Sequence, residues 1–319
     1  MFVKVPSSPV LGVETILAIS RLAAYIHCMS EKPILVTGAT GNISSLVIPQ
    51  LIASGSKVRA LVHNADKAKA LSDKGAEVVV GDLDNPGSLQ KAFDGISAVF
   101  LLTPFGERAD ALARNAIAAA KKAGSPYVVR LSVIKAGPDA PTANTRSHGQ
   151  TEKDLKESGL PVAYLRPHYF MQNIFGSLKT IGSDGVFYQG MGEAKLAMID
   201  VRDIADSAAK ALLDRSHAGK TYSLTGPASI TWHTVAQAFT AALGRPVKYI
   251  PIPSEAVAEN IRKMGWGEWA AGVMRDYSAA YGSGWGDFVT EDVKKLAGHP
   301  ARSIEQFARE VLAPALSRR

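Results

Sequence analysis

The chain has 319 residues, 46% of them hydrophobic, and a formal charge of +7. That length allows a large buried core and one or two domains, while the charge is too mild and too scattered to argue for nucleic acid as a partner. Cys28 is the single cysteine, which excludes an internal disulfide, a thiolate cluster and a CxxC redox pair and leads us to expect a reducing, cytoplasmic setting.

Residues 1–30 read as an N-terminal extension, from an upstream start codon or as a cleaved targeting segment. Val10 to Met29 is apolar, but Glu14 and Arg21 interrupt it and argue against a membrane-spanning helix. The fold is expected to begin directly after it. Ile34 to Val36 is an apolar run that stops at Gly38, and helical patterning begins after Gly41. This strand, tight turn and helix start open a dinucleotide-binding βαβ unit. Gly38 lets the chain turn, Gly41 lets the backbone approach a pyrophosphate, and the N–H groups of Asn42 and Ile43 point at its charge from a helix N-terminus. The spacing is Gly-x-x-Gly, and Ser44 stands where a third glycine is usual.

Val58 to Val62 is a second strand. An NAD-preferring site carries an acid about 20 residues past the glycines to bind the ribose 2′-OH, yet no acid lies between Lys57 and Ala65. Arg59, His63 and Lys67 stand there instead and are expected to read a 2′-phosphate, favouring NADP(H). A helix from Asp66 to Ser72 precedes a third, buried strand, Glu77 to Val80, after which Asp82, with Leu83 beside it, is a candidate for the adenine. A short helix (Ser88 to Phe93) and a fourth strand (Ala98 to Leu102) follow. Thr103 and Pro104, at the carboxyl end of that strand, border the nicotinamide ribose.

A long Ala-rich helix (Arg108 to Lys122) leads to a fifth strand, Tyr127 to Ser132. Beyond the loop from Ala136 to Ala143, a helix from about Ser147 to Ser158 and a sixth strand, Val162 to Leu165, complete the alternation. Strands alternating with helices of this length signal a doubly wound parallel sheet. After Arg166-Pro167 the rhythm breaks: Gly182 to Gly192 is turn-rich, a helix runs from Arg202 to Leu213, and Thr221 to Leu224 is a seventh strand. From Thr231 the chain is mostly helical and carries all four tryptophans. We therefore expect a dinucleotide-binding domain over 31–166, with 197–227 returning to it, and a smaller substrate lobe built from 167–196 and 228–319.

Three segments, Thr37-Gly38-Ala39-Thr40-Gly41-Asn42, Arg166 to Asn173 and Asp200 to Ala205, together with Tyr222 to Pro227 and Thr290 to Val293, resemble the motifs of the NmrA-like atypical short-chain dehydrogenases. The similarity runs from about residue 32 to the C-terminus. It implies a Rossmann-like α/β fold and reduction of quinones, azo dyes or related planar acceptors with NADP(H), with a homodimer left open. The family also includes regulators that bind NADP without turning it over.

On that resemblance Thr37, Gly38, Thr40, Gly41, Asn42 and Ile43 hold the pyrophosphate, while Pro167, His168 and Phe170 lie against the nicotinamide or the acceptor. Ordinary short-chain dehydrogenases carry Ser and Tyr-x-x-x-Lys, whose lysine lowers the tyrosine pKa for proton transfer. Ser132 matches the serine, but the second segment reads His148-Gly149-Gln150-Thr151-Glu152. His148 is the one replacement for a proton donor, with Glu152 one helical turn away to orient or charge it. The loss of the tyrosine points to hydride transfer to a self-sufficient acceptor. The rivals are an NADP(H)-sensing regulator and a carbonyl or imine reductase using His148 as acid.

Overall fold

Residues 32–64, 66 and 68–318 are described by the structure, a computed structural model. The expected extension over residues 1–30 and Lys67 lie outside these residues. Among the described residues nine strands occur in chain order: β1 (Ile34–Val36), β2 (Val58–Val62), β3 (Glu77–Val80), β4 (Ala98–Leu101), β5 (Tyr127–Leu131), β6 (Val162–Pro167), β7 (Val186–Gln189), β8 (Thr221–Leu224) and β9 (Lys248–Pro251). Seven of them form one sheet in the order β3-β2-β1-β4-β5-β6-β8, every pair parallel. The order reverses between β1 and β4, which is the switch point where open α/β sheets bind ligands.

A parallel sheet must be covered on both faces. The helices α1 (Ser44–Ala53), α2 (Ala68–Ser72), α3 (Pro86–Phe93), α4 (Ala109–Lys122), α5 (Ala143–Ser158), α6 (Leu178–Asp184) and α7 (Val201–Leu213) come between the strands. On one face Val47, Ile48 and Leu51 of α1 and Ile204, Ala205 and Ala208 of α7 share a core with Val36, Phe100 and Val129. On the other, Leu89 and Phe93 of α3, Ile117 of α4 and Leu155 of α5 pack on Leu35, Val99 and Val128. Buried apolar surface contributes about 25 cal/mol per Å², so these two layers carry most of the sheet's stability.

Two expectations are corrected and two are refined. β3 is an edge strand rather than a buried one: among the described residues no strand pairs with its outer side, and Glu77 and Val80 are exposed. α5 begins at Ala143, since Thr142 and Thr145 exchange side-chain and backbone hydrogen bonds in a capping box that starts the helix earlier. The turn-rich stretch 182–192 contains β7, and the mostly helical C-terminal part contains β9. These two pair in parallel as a second, two-stranded sheet.

The C-terminal helices are α8 (Trp232–Leu243), α9 (Ser254–Lys263), α10 (Gly267–Gly282), α11 (Asp292–Ala297), α12 (Ile304–Phe307) and α13 (Ala313–Ser317). Trp232, Phe239, Phe187 of β7 and Phe307 centre a separate hydrophobic cluster. The α9–α10 hairpin has a small cluster of its own, Ala258, Ile261, Ala270 and Ala271. Among the described residues no helix is long and apolar enough to cross a membrane.

Candidate active site

The turn after β1 is built for close approach. Gly38 has φ 56°, a left-handed conformation that favours glycine, and a Cβ there would sit 2.8 Å from the Leu102 side chain. Thr37, fully buried, ties the turn to β4: its hydroxyl donates to the carbonyl of Leu102 (2.7 Å), and the Leu102 N–H donates back to it (2.8 Å). Ser44 donates to the Thr37 carbonyl at 3.1 Å, so the residue in place of the third glycine locks α1 onto the strand. Helix α1 starts with no side-chain cap and no acid in its first turn. Ser45 and Leu46 already donate to the Gly41 and Ile43 carbonyls, so this end of α1 offers an anion its partial positive charge and the N–H groups that precede them. Thr40, Gly41 and Asn42 are exposed there, while Ile43 is buried beneath them. This cradle fits a dinucleotide pyrophosphate.

At the end of β2, His63 faces Asp82 at 3.3 Å, and the other Asp82 oxygen accepts from the Asp84 N–H at 2.9 Å. Leu83 is buried and its carbonyl is held by Asn115 (2.8 Å). Arg59, expected to read the 2′-phosphate, does not reach this edge. It lies near the start of β2 and pairs with Glu77 at 2.9 Å. Its guanidinium also donates to the carbonyls of Ala92 (3.1 Å) and Asp94 (2.6 Å), at the C-terminal end of α3. A helix C-terminus is partially negative, and its free carbonyls capture the nearest cation. Of the residues expected to meet the 2′-phosphate, His63 is the described one that stays at the carboxyl edge.

Past β4 and β5 the structure gathers Thr103, Ser132, His148 and Glu152 with two residues to which the sequence reading gave no role, Arg130 and Arg166. Ser132 donates its hydroxyl to Glu152 Oε1 at 2.5 Å. Arg166 grips the same carboxylate bidentately, with Nε 2.9 Å from Oε1 and Nη2 2.5 Å from Oε2. Such a fork is among the strongest side-chain pairings. Glu152 therefore does not charge His148, as the i,i+4 spacing suggests; the stronger cation on the neighbouring strand has taken it.

His148 faces Arg130 instead, with Nδ1 3.4 Å from Nη2. Desolvation, and then the adjacent guanidinium, push its pKa well below the ordinary histidine value. It is neutral at physiological pH and cannot act as an imidazolium acid. Arg130 is almost fully buried on β5, and burial lowers its own pKa to about 10. Tyr164, whose hydroxyl reaches the Glu152 carbonyl at 3.4 Å, is pushed up to about 12 by burial. No group in this cluster is a ready acid.

Beyond β6 the outcome is mixed. Pro167 is buried in the sheet, and Phe170 is half-buried against the core beside Ile199. His168 is structural rather than ligand-facing. Its Nδ1 accepts from the Tyr169 N–H (2.8 Å), and its Nε2 lies 2.9 Å from the Gly286 carbonyl, which fixes the proton on Nε2. Burial, more than any charge, lowers its pKa to about 4. The ring lies among Tyr281 and Phe288, and so pins the loop after α10 to the end of β6.

A pocket of about 490 Å³ opens between the β5–α5 loop and the end of α10, lined by Lys135, Gly137, Pro141, Ala280 and Trp285 among others. Trp285 meets Tyr281 edge-on at 5.2 Å, and Tyr281 stacks with Tyr277 at 6.0 Å. Lys135, at φ 50°, places Nζ over Phe288 (4.8 Å) and on the Trp285 carbonyl (2.5 Å). The signal for these residues was present only as composition: a charge inside the apolar strand Tyr127–Leu131, and aromatics flanked by glycines.

Residues 30–281 match the model of the NmrA-like family. An NAD(P)H azoreductase of Xenophilus azovorans is 36% identical over 276 residues, which cover 86% of this chain and 96% of that one. Among solved structures, the NADPH-dependent quinone oxidoreductase of Escherichia coli in complex with NADPH superposes with a TM-score of 0.78 at 28% identity, covering 89% of this chain and 99% of its own. The triphenylmethane reductase of Citrobacter sp. gives a TM-score of 0.79 at 26% identity, covering 88% and 99%.

Proposed function

This chain belongs to the NmrA-like family, and from that premise we propose that it reduces a planar aromatic acceptor, quinone or azo in type, with hydride from NADPH. It is an NAD(P)H-dependent oxidoreductase with NADP(H) as cofactor. When bound, the cofactor supplies two electrons and a proton together as hydride from its nicotinamide ring. In this reading the turn from Gly38 to Ile43 holds the pyrophosphate and His63 meets the 2′-phosphate. Thr103, Pro104 and Ser132 line the nicotinamide ribose, where Ser132, whose hydroxyl already donates its hydrogen bond to Glu152, offers lone pairs to a ribose hydroxyl. The pocket beside Trp285 receives the acceptor, and binding it flat supplies most of the rate through orientation.

The observation that carries this reading is the absence of a usable acid among the described residues of the cluster. Reducing a ketone creates an alkoxide that needs a proton in the transition state, an assistance of ~10²–10⁴ in rate. Ser132 is committed to Glu152, Glu152 to Arg166, and His148 is held neutral. An acceptor that spreads the incoming charge over a conjugated system needs no such donor and takes its proton from water afterwards.

Single-turnover oxidation of NADPH with a naphthoquinone, an azo dye and an aryl ketone tests this. The quinone or the dye is expected to react at least ~10²-fold faster than the ketone. Equal rates would favour a carbonyl reductase, and no oxidation with any acceptor would favour an NADP(H) sensor.

A further inference from the structure

We infer that Arg130 is a positioning residue that fixes His148 as a neutral imidazole with its proton on Nε2, and that this N–H is the hydrogen-bond donor to the acceptor heteroatom that gains negative charge. The inference rests on the reductase reading above and adds to it the group that meets the developing anion.

Arg130 is 1% exposed in the centre of the sheet, and its Nε has no hydrogen-bond partner. A guanidinium is costly to bury unless something is gained from its charge. Its contacts are long and carry no carboxylate: the Leu101 carbonyl at 3.3 Å, Thr103 Oγ1 at 3.2 Å and His148 Nδ1 at 3.4 Å. Guanidinium nitrogens donate and never accept, so the imidazole nitrogen facing them carries the lone pair and the ring proton sits on Nε2. Nε2 has no partner among the described residues. The charged groups around the ring are Arg130 from β5 and Glu152 from α5 itself, the latter already held by Arg166 of β6. What remains for the ring is positive charge, which keeps it neutral.

The chemistry balances without a proton from the ring. The C–H bond of the nicotinamide breaks, and the hydride pair forms a new bond on the acceptor. The displaced π pair moves to the far oxygen or nitrogen, which becomes anionic and later takes a proton from water. The helix turn that carries His148 lies against the pocket wall, since a Cβ on Gly149 would meet Gly137 of its lining; a neutral imidazole N–H reaching the anionic atom from there would stabilise the charge as an oxyanion-hole donor does, an effect of ~10²–10³ in rate. Arg130 acts behind it by holding the tautomer and adding a positive field.

Nitrogen-15 NMR of histidine-labelled protein, without cofactor, reads the tautomer directly. The expected result is His148 protonated on Nε2 alone and unchanged from about pH 5.5 to 8, below and above the ordinary histidine value near 6.5. In Arg130→Met the ring's pKa should rise, with burial still holding it below that value, and quinone reduction should acquire a pH dependence on the acid side that Arg130→Lys suppresses. His148→Leu should lower single-turnover quinone reduction by ~10²-fold with NADPH affinity unchanged, and His148→Gln, which keeps an N–H donor, should recover most of the loss. A proton on Nδ1, an ordinary titration in the unaltered protein, or full activity in His148→Leu would each overturn the inference. If Arg130→Met fails to fold, the unaltered protein and the His148 variants still decide. An unaltered protein that reduces no quinone or dye while keeping the Nε2 tautomer would instead count against the reductase reading.

Discussion

Arg59 and His63 stand four residues apart and serve opposite ends of one strand. Arg59 holds the C-terminal carbonyls of α3, so Arg59→Ala should cost about 1–2 kcal/mol of stability, the loss of charged hydrogen bonds, and leave cofactor choice untouched. His63 stays at the carboxyl edge, and His63→Ala should erode a preference for NADP(H) over NAD(H) that we expect to be at least tenfold, about 1.4 kcal/mol. Binding titrations with both cofactors check this, and equal affinities in the unaltered protein would refute it. A one-dimensional motif located both residues in the right window, but which end of a strand a side chain serves depends on the helix packed beneath it. His168 shows the same limit, since its partner Gly286 lies 118 residues on. Its pKa falls from 6.5 unfolded to about 4 folded. Below pH 6.5 the unfolded chain takes up a proton that the folded ring refuses, so stability is complete above that value and falls as pH drops towards 4, by up to about 3 kcal/mol. Urea unfolding at pH 7.5 and 4.5 should show that loss, and His168→Gln should reduce it while lowering stability at pH 7.5, because the Gly286 carbonyl and Tyr169 N–H lose a partner. An undiminished acid loss in the variant would remove His168 from this role.

Elements of the sheet were readable because each strand is a short apolar run in alternation with helices, and a parallel, doubly wound sheet follows from that rhythm, while the order of its strands does not. β7 and β9 were not, being four residues each, set among glycines, prolines and helices, and stabilised by each other across 62 residues of chain. The start of α5 was missed by four residues because Thr142 and Thr145 cap through each other, whereas the familiar capping box uses Glu or Gln. Within α5, Gly149 carries information that propensity reverses. Gly→Ala inside a helix ordinarily stabilises by about 0.5–1 kcal/mol, yet here a Cβ would sit 2.5 Å from the Gly137 nitrogen and 2.6 Å from its Cα. Backbone cannot yield as a side chain does, so Gly149→Ala should instead destabilise by about 1–3 kcal/mol. It should also push the loop that carries Lys135 and Gly137 into the pocket, raising the acceptor KM more than the NADPH KM. A melting temperature at or above that of the unaltered protein, with unchanged KM values, would show that the two backbones are not in contact.

At the scale of the whole molecule the cores are unequal. The sheet is gripped by two large apolar layers and the aromatic lobe by a third, but the outer half of the α9–α10 hairpin rests on Ala258, Ile261, Ala270 and Ala271. Three of those four are alanines, whose buried area is small, and local opening free energy follows buried apolar contact. The hairpin meets the cofactor side of the sheet where Trp269 packs against Phe105 of the β4–α4 loop, ring centroids 5.0 Å apart, and Phe105 is itself 47% exposed. A weakly cored element that touches the ligand edge through one aromatic pair is suited to open for the acceptor and close over it. Amide hydrogen exchange should therefore be faster over 254–272 than over β1, β4 and β5, and NADPH with a bound quinone should slow it. At one hundred times the cofactor Kd, binding raises global stability by about 2.7 kcal/mol whatever it touches, so the informative signal is protection of the hairpin beyond that uniform gain. Phe105→Ala should remove this extra protection and leave that of the Gly38–Ile43 turn in place. Exchange over 254–272 as slow as in the central strands, with or without ligands, would mean that the hairpin is a fixed wall and that the acceptor enters elsewhere.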